Sequence, residues 1–386
     1  MITERISFTN FKKSKNSKKI RNKLILLTKQ RNEVIRSLSK EYKDSFLSKQ
    51  IKKYKKNTNF RIIGMGGSSL GACAIYNFLK HKIKKNFEFV DNLRAIQNKN
   101  KNKNKKYLNL IISKSGNTIE TIVNFNILIK KQDKNIFITE NKKSHLSILA
   151  ERLKAEIINH NNYIGGRYSV LSEVGMLPAD LMGLNVKRFR QFNSLIKNKK
   201  FINALINNVN STLHLVKNKK YNSVIINYDE KSESIFKWYQ QLIAESLGKK
   251  KKGIMPIIST MPRDNHSVMQ LYLDGFQNNF FTFFYVHSYK SDKINDNLIL
   301  PSHKFLKNKN LSNIIYAQKR ATENTFVKKN IPFRSFEIKK RDEMSLGELF
   351  TFFLLETILI GKCLNINPYD QPAVELIKRE TKKILI

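Results

Sequence analysis

Ile111-Ile112-Ser113-Lys114-Ser115-Gly116-Asn117-Thr118-Ile119-Glu120-Thr121 is an apolar run that breaks into hydroxyls, a lysine and a glycine, then resumes at helical spacing. It reads as strand, tight loop and helix. Residues 107–112 are strand formers, Ser115-Gly116-Asn117 is turn chemistry, and Ile119, Ile122, Val123 and Phe125 open an amphipathic helix. Such a loop points backbone N–H groups out of a helix N-terminus, where the macrodipole favours negative charge. Ser113, Ser115 and Thr118 add hydroxyls and Lys114 an ammonium, a set suited to a phosphomonoester. The plainer reading is a strand-to-helix turn in which Ser115 and Thr118 only cap the helix.

Working outward, strand-turn-helix units recur. Residues 60–71, Phe-Arg-Ile-Ile-Gly-Met-Gly-Gly-Ser-Ser-Leu-Gly, form a second one, and 135–139 a further short strand. The spacing of Gly64, Gly66 and Ser69 lacks the third glycine of a dinucleotide fingerprint. Strands at 223–228, 253–258, 280–287 and 333–338 alternate with helices at 232–247, 266–276, 313–327 and 346–363. Repeated alternation predicts an α/β protein with parallel sheets and ligands at the carboxyl ends of the strands. We expect a helical lead-in over 1–57 that packs on the first domain, a first domain over 58–195, a second over 196–364, and a C-terminal segment over 365–386. The polar, lysine-rich stretch 193–208 reads as the link between domains.

The 386 residues suffice for two ordinary domains, and 41% hydrophobic content is normal for a globular chain. Basic residues number 72 against 30 acidic, net +42, a balance that by itself suggests a polyanion partner. The lysines are spread over nearly every surface segment, together with abundant Asn and Ile, as an A/T-rich genome would produce, so neither a specific nucleic acid nor a membrane is expected as partner. A basic surface does help to collect phosphorylated substrates by steering. Cys73 and Cys363 are too few and too far apart for a disulfide framework or metal cluster, which fits a reducing cytoplasm. Residues 24–27 are too short for a signal-peptide core, and 349–360, interrupted by Glu356, falls short of a membrane span.

Four further stretches carry chemistry. Arg167 follows Gly165 and Gly166, where little bulk shields it, so it can present a bidentate charge to an anion or form a surface salt bridge. Gln241 and Glu245 share a helix face. Glu245, near the helix C-terminus, suits a general base, or else pairs with Lys249 at i+4. Asn265 is a candidate N-cap that would put His266 in the first turn of the next helix. Residues 367–378, Asn-Pro-Tyr-Asp-Gln-Pro-Ala-Val-Glu-Leu-Ile-Lys, start a helix at Pro372 with Gln371, Glu375 and Lys378 along one face.

Together these motifs resemble the sugar isomerase (SIS) domain family and, within it, the glucose-6-phosphate isomerases. Ser-Lys-Ser-Gly-Asn-Thr-x-Glu-Thr looks like the family's phosphate loop. Gly64-Met65-Gly66-Gly67-Ser68-Ser69-Leu70-Gly71 matches its glycine turn except at Met65. Gly-Gly-Arg-Tyr-Ser at 165–169 resembles its first signature, and Tyr369 to Lys378 fits the second at every fixed position. Glu245-Ser246-Leu247-Gly248-Lys249 matches the catalytic stretch with Leu247 in place of asparagine.

The resemblance implies two SIS-type three-layer αβα domains and an aldose–ketose isomerase of glycolysis and gluconeogenesis, without metal or other cofactor. Catalytic roles then fall to Glu245, His266, Lys378 and Arg167. Substrate contacts fall to Gly67, Ser68, Ser113, Lys114, Ser115, Thr118, Gln241 and Gln371. In relatives the histidine reaches the neighbouring subunit's site, which implies a homodimer. Alternatives are another two-domain isomerase, acting on mannose 6-phosphate or glucosamine 6-phosphate, or a non-catalytic sugar-phosphate or polyanion binder.

Overall fold

The computed structural model describes residues 1–12, 17–95, 105–288 and 290–386. Its strands are β1 (Ile6–Thr9), β2 (Asn59–Ile63), β3 (Asn86–Val90), β4 (Leu108–Ile112), β5 (Lys134–Thr139), β6 (Glu156–Asn159), β7 (Asn222–Asn227), β8 (Met255–Thr260), β9 (Asn279–Val286) and β10 (Phe333–Ile338). One sheet has the order β3-β2-β4-β5-β6 and is parallel throughout. The other has the order β1-β10-β9-β7-β8, parallel except where β1 runs antiparallel to β10.

Both sheets are covered on both faces, and the sequence shows why. All of β4 is buried, with Ile111 packing with Phe125 and Phe137 while Leu110 and Ile112 join the main core on the other side. In the second sheet Val224, Ile226, Phe281 and Phe283 face one way, and Ile225, Phe280 and Phe284 the other. Apolar residues on both sides of the pleat demand helices above and below, hence three layers.

The two halves share a core. Helix Glu343–Cys363 is buried without a break from Ser345 to Gly361 and packs against helices Glu233–Leu247, Lys199–Lys217 and Lys18–Lys29. Although it is long and apolar enough to cross a membrane, 94% of its most apolar window lies inside the protein. Its acidic side chains are paired. Glu356 accepts from Arg334, from Asn208 at 2.6 Å and from the Tyr239 hydroxyl at 3.2 Å, and Glu343 from Lys82 at 2.6 Å.

Three expectations change. The lead-in is not purely helical and does not pack on the first sheet alone, since β1 extends the second sheet and Thr3 donates to Glu348 at 2.6 Å. The 193–208 segment is no polar link, because helix Lys199–Lys217, capped by Asn198, buries Phe201, Leu205 and Val209 at helical spacing. That spacing outweighs the lysines and asparagines around it. The helix expected at 266–276 is a 3-10 turn, Arg263–His266, followed by the short helix Met269–Asp274. Asn265 caps neither; the turn is tied by the Asp264 carboxylate, which accepts from the Thr260 N–H at 2.8 Å.

Candidate active site

Where β2 and β4 end, their loops meet the helix Glu233–Leu247 and the C-terminal segment around a cavity of about 710 Å³. Gly67, Ser68, Lys114, Ser115, Thr118, Arg167, Gln241, Glu245, Gln371 and Lys378 all line it. Residues more than 300 positions apart in the chain thus share one space.

Two glycines allow that closeness. A Cβ on Gly67 would lie 2.1 Å from the Gly166 carbonyl carbon, so the glycine turn and the Arg167 turn touch backbone to backbone. Gly116 adopts φ +67°, and a Cβ there would meet the Ser144 hydroxyl at 2.1 Å. In the loop that carries Gly116, Thr118 stands at the start of helix Ile119–Leu128 but its hydroxyl does not cap it. Instead the Thr118 and Ser113 hydroxyls lie 2.8 Å apart. Ser113 itself is buried and does not line the cavity; it holds Thr118 from behind. Ser115 accepts from the Asn117 N–H at 3.2 Å, and the Lys114 ammonium donates to the Asn162 carbonyl at 2.9 Å.

Elsewhere on the cavity wall Glu245 is held from two sides. Gln241 donates to Oε1 at 2.9 Å, and Arg167 Nη1 donates to Oε2 at 3.1 Å. Lys249 does not pair with Glu245; it turns to the Asp370 carbonyl and carboxylate at 2.6 and 3.0 Å. Its hydrogen bond holds the Asp370 carboxyl below its usual range, while burial lowers the Lys249 ammonium against the pull of Asp370.

Arg167 is neither an open fork nor a surface ion pair. The side chain is buried, and every donor is used: Nε on the Ser246 hydroxyl at 2.8 Å, Nη1 on Glu245 and on Gln371 at 2.7 Å, Nη2 on the Pro368 and Asp370 carbonyls at 2.7 and 3.0 Å. One guanidinium thereby fixes the carboxylate, Gln371 and the 368–370 backbone in one constellation.

Two further residues, besides Ser113 and Arg167, sit differently from expectation. His266 is exposed on its 3-10 turn and does not line the cavity. Gln371 precedes the last helix, Val374–Leu385, which starts two residues after Pro372. Lys378 reaches the cavity from that helix while pairing with Glu375 at 2.6 Å. The sequence reading missed Glu140, Lys142 and Tyr163, which also line the cavity. The first two follow β5, and the position of β5 beside β4 was the available signal. Among the described residues no group of three or more His, Cys, Asp or Glu is placed to hold a metal.

A model of the phosphoglucose isomerase family matches residues 27–261. A glucose-6-phosphate isomerase of Methanocaldococcus jannaschii is 33% identical over 372 residues, covering 89% of this chain and 88% of its own. One from Campylobacter jejuni is 34% identical over 355 residues, covering 87% of each. Among solved structures, a hypothetical protein from Thermus thermophilus superposes with TM-score 0.83 at 22% identity, covering 95% of this chain and 94% of its own.

Proposed function

This chain belongs to the phosphoglucose isomerase family, and we propose that the cavity between its two sheets is where it interconverts glucose 6-phosphate and fructose 6-phosphate. The observation that carries the assignment is the position of Glu245. It shares one cavity with Lys114, Ser115 and Thr118, so a hexose anchored by its phosphate at the loop lays its reacting carbons toward the carboxylate.

The chemistry follows. After ring opening, Glu245 takes the proton from carbon 2 and returns it to carbon 1 through an enediolate, a positioned-base effect on the order of 10²–10⁴-fold. Charge that develops on the enediolate oxygens faces Arg167 Nη1, already oriented by Glu245 and Gln371. Lys378 handles the proton at the sugar's ring oxygen or carbon 1 hydroxyl. Binding at the phosphate, remote from the chemistry, fixes orientation at the reacting carbons. His266 acts in the cavity of a second copy, which makes the working unit a homodimer. We place the enzyme in the cytoplasm, where its two unpaired cysteines stay reduced.

A coupled assay tests this directly. Glucose 6-phosphate and fructose 6-phosphate are offered in both directions, with mannose 6-phosphate beside them. Turnover of the first pair is expected, and failure of the purified chain to interconvert them would overturn the reading.

A further inference from the structure

A carboxylate stands inside the anion-binding end of the cavity. Glu140, just after β5, is 11% exposed at its side chain and lines the cavity together with Lys114, Ser115 and Thr118. It pairs with the Lys114 ammonium at 3.4 Å and with the Lys142 ammonium at shorter range. Burial alone would raise this carboxyl. The hydrogen bond from Lys142 and the charge of Lys114 outweigh burial and hold it below its ordinary value, so it stays ionised. An ionised carboxylate beside a bound phosphate costs binding energy through like-charge repulsion, unless cations in the site serve both anions.

The two lysines differ in how they are held. Lys114 has a second anchor, the Asn162 carbonyl at 2.9 Å. Lys142 has a side chain 54% exposed, and among the described residues its ammonium has no partner but Glu140. It is therefore free to turn. Two ammoniums and one carboxylate leave one net positive charge, whereas a phosphomonoester carries nearly two negative charges at neutral pH.

We infer that Lys142 is a second phosphate-binding ammonium, which leaves Glu140 and turns onto the substrate's phosphate when it binds. Glu140 is its internal counter-ion and lowers affinity for the phosphate group, which favours release of product. This inference rests on the reading of Ser113 to Thr118 as the phosphate loop.

The test measures KM for fructose 6-phosphate and competitive inhibition by inorganic phosphate, at fixed ionic strength. Lys142→Ala should raise KM and the inhibition constant about tenfold, the scale of one charged hydrogen bond, with the effect on KM rather than kcat. Lys142→Arg should restore most of it, and Glu140→Gln, nearly isosteric, should lower both constants. Lys143→Ala, the exposed neighbour, controls for loss of surface charge and should change neither. If Lys142→Ala behaves like Lys143→Ala while Lys114→Ala weakens binding, the second ammonium is overturned and the phosphate loop stands. If Lys114→Ala also changes nothing, the loop assignment falls, and this inference falls with it.

Discussion

The second signature stretch, Tyr369 to Lys378, crosses from one kind of structure into another within ten residues. Its first half is clamped. Arg167 binds the Pro368 and Asp370 carbonyls and Gln371, Asn32 donates to the Tyr369 hydroxyl at 2.9 Å, and the Tyr168 and Tyr369 rings lie 5.5 Å apart. Its second half, helix Val374–Leu385, has no buried residue, and Leu376 and Ile377 are exposed. The chain is thus rigid where Glu245 is oriented and lightly held where Lys378 delivers its ammonium. A base needs a fixed geometry, whereas a proton-handling lysine on an outer helix can approach after the sugar has entered.

Substitutions can break that contrast. Arg167→Ala should have the largest effect. It strands Glu245, Ser246, Gln371 and two carbonyls, so stability should fall by about 3 kcal/mol or more and kcat/KM by roughly a thousandfold, read from urea unfolding and the coupled assay. Arg167→Lys keeps the charge but cannot serve acceptors on every side, and should recover little.

A third test uses pH. His160, which lies 3.6 Å from Glu173 beside the loop reaching Tyr163, is pushed by burial down to about 4. Its ordinary value is the higher one, so the unfolded chain takes up the proton first as pH falls. The stability that the neutral imidazole contributes is complete above about pH 6.5 and is lost as pH drops toward 4, at most about 3 kcal/mol. Burial raises the Glu173 carboxyl, which acts with the opposite sign, so the measurement is the difference between wild type and His160→Gln. Wild type should lose more stability than the variant between pH 7 and pH 5.

On the lightly held half, Lys378→Ala should lower kcat by about a hundredfold while changing unfolding free energy by less than about 0.5 kcal/mol. A large stability loss would mean that the helix is part of the clamp. Smaller still, Lys114→Ala should raise KM for both sugar phosphates alike, by about tenfold. An unchanged KM would remove the loop from the phosphate.

Much of this was legible because it is local. Short apolar runs of strand formers bounded by turn residues predict most of the strands, and the loop after β4 is turn chemistry followed by helical spacing. Where the reading failed, the deciding contact was distant or the composition distracted. Helix Lys199–Lys217 hides its apolar stripe among lysines and asparagines. β1 owes its place to pairing with β10, over 300 residues away, which no local pattern announces. The 263–266 turn is set by the Asp264 side chain reaching back to Thr260, not by the capping strength of Asn265. In the site, the sequence suggested an arginine either open to an anion or in a surface salt bridge, but the five acceptors that saturate Arg167 come from residues 245, 246, 368, 370 and 371 and converge only in the fold. Glu140 and Lys142 were overlooked because they belong to no motif and reach the site only through the order of the sheet.

The most direct test replaces one carboxylate oxygen of Glu245 by an amide nitrogen, which removes the base while nearly keeping the side chain's shape. Glu245→Gln, titrated with fructose 6-phosphate by phosphorus NMR and followed for glucose 6-phosphate formation, should bind within about threefold of wild type while turnover falls on the order of 10²–10⁴-fold. Turnover at the wild-type rate with binding intact would contradict the assignment of proton transfer to this carboxylate.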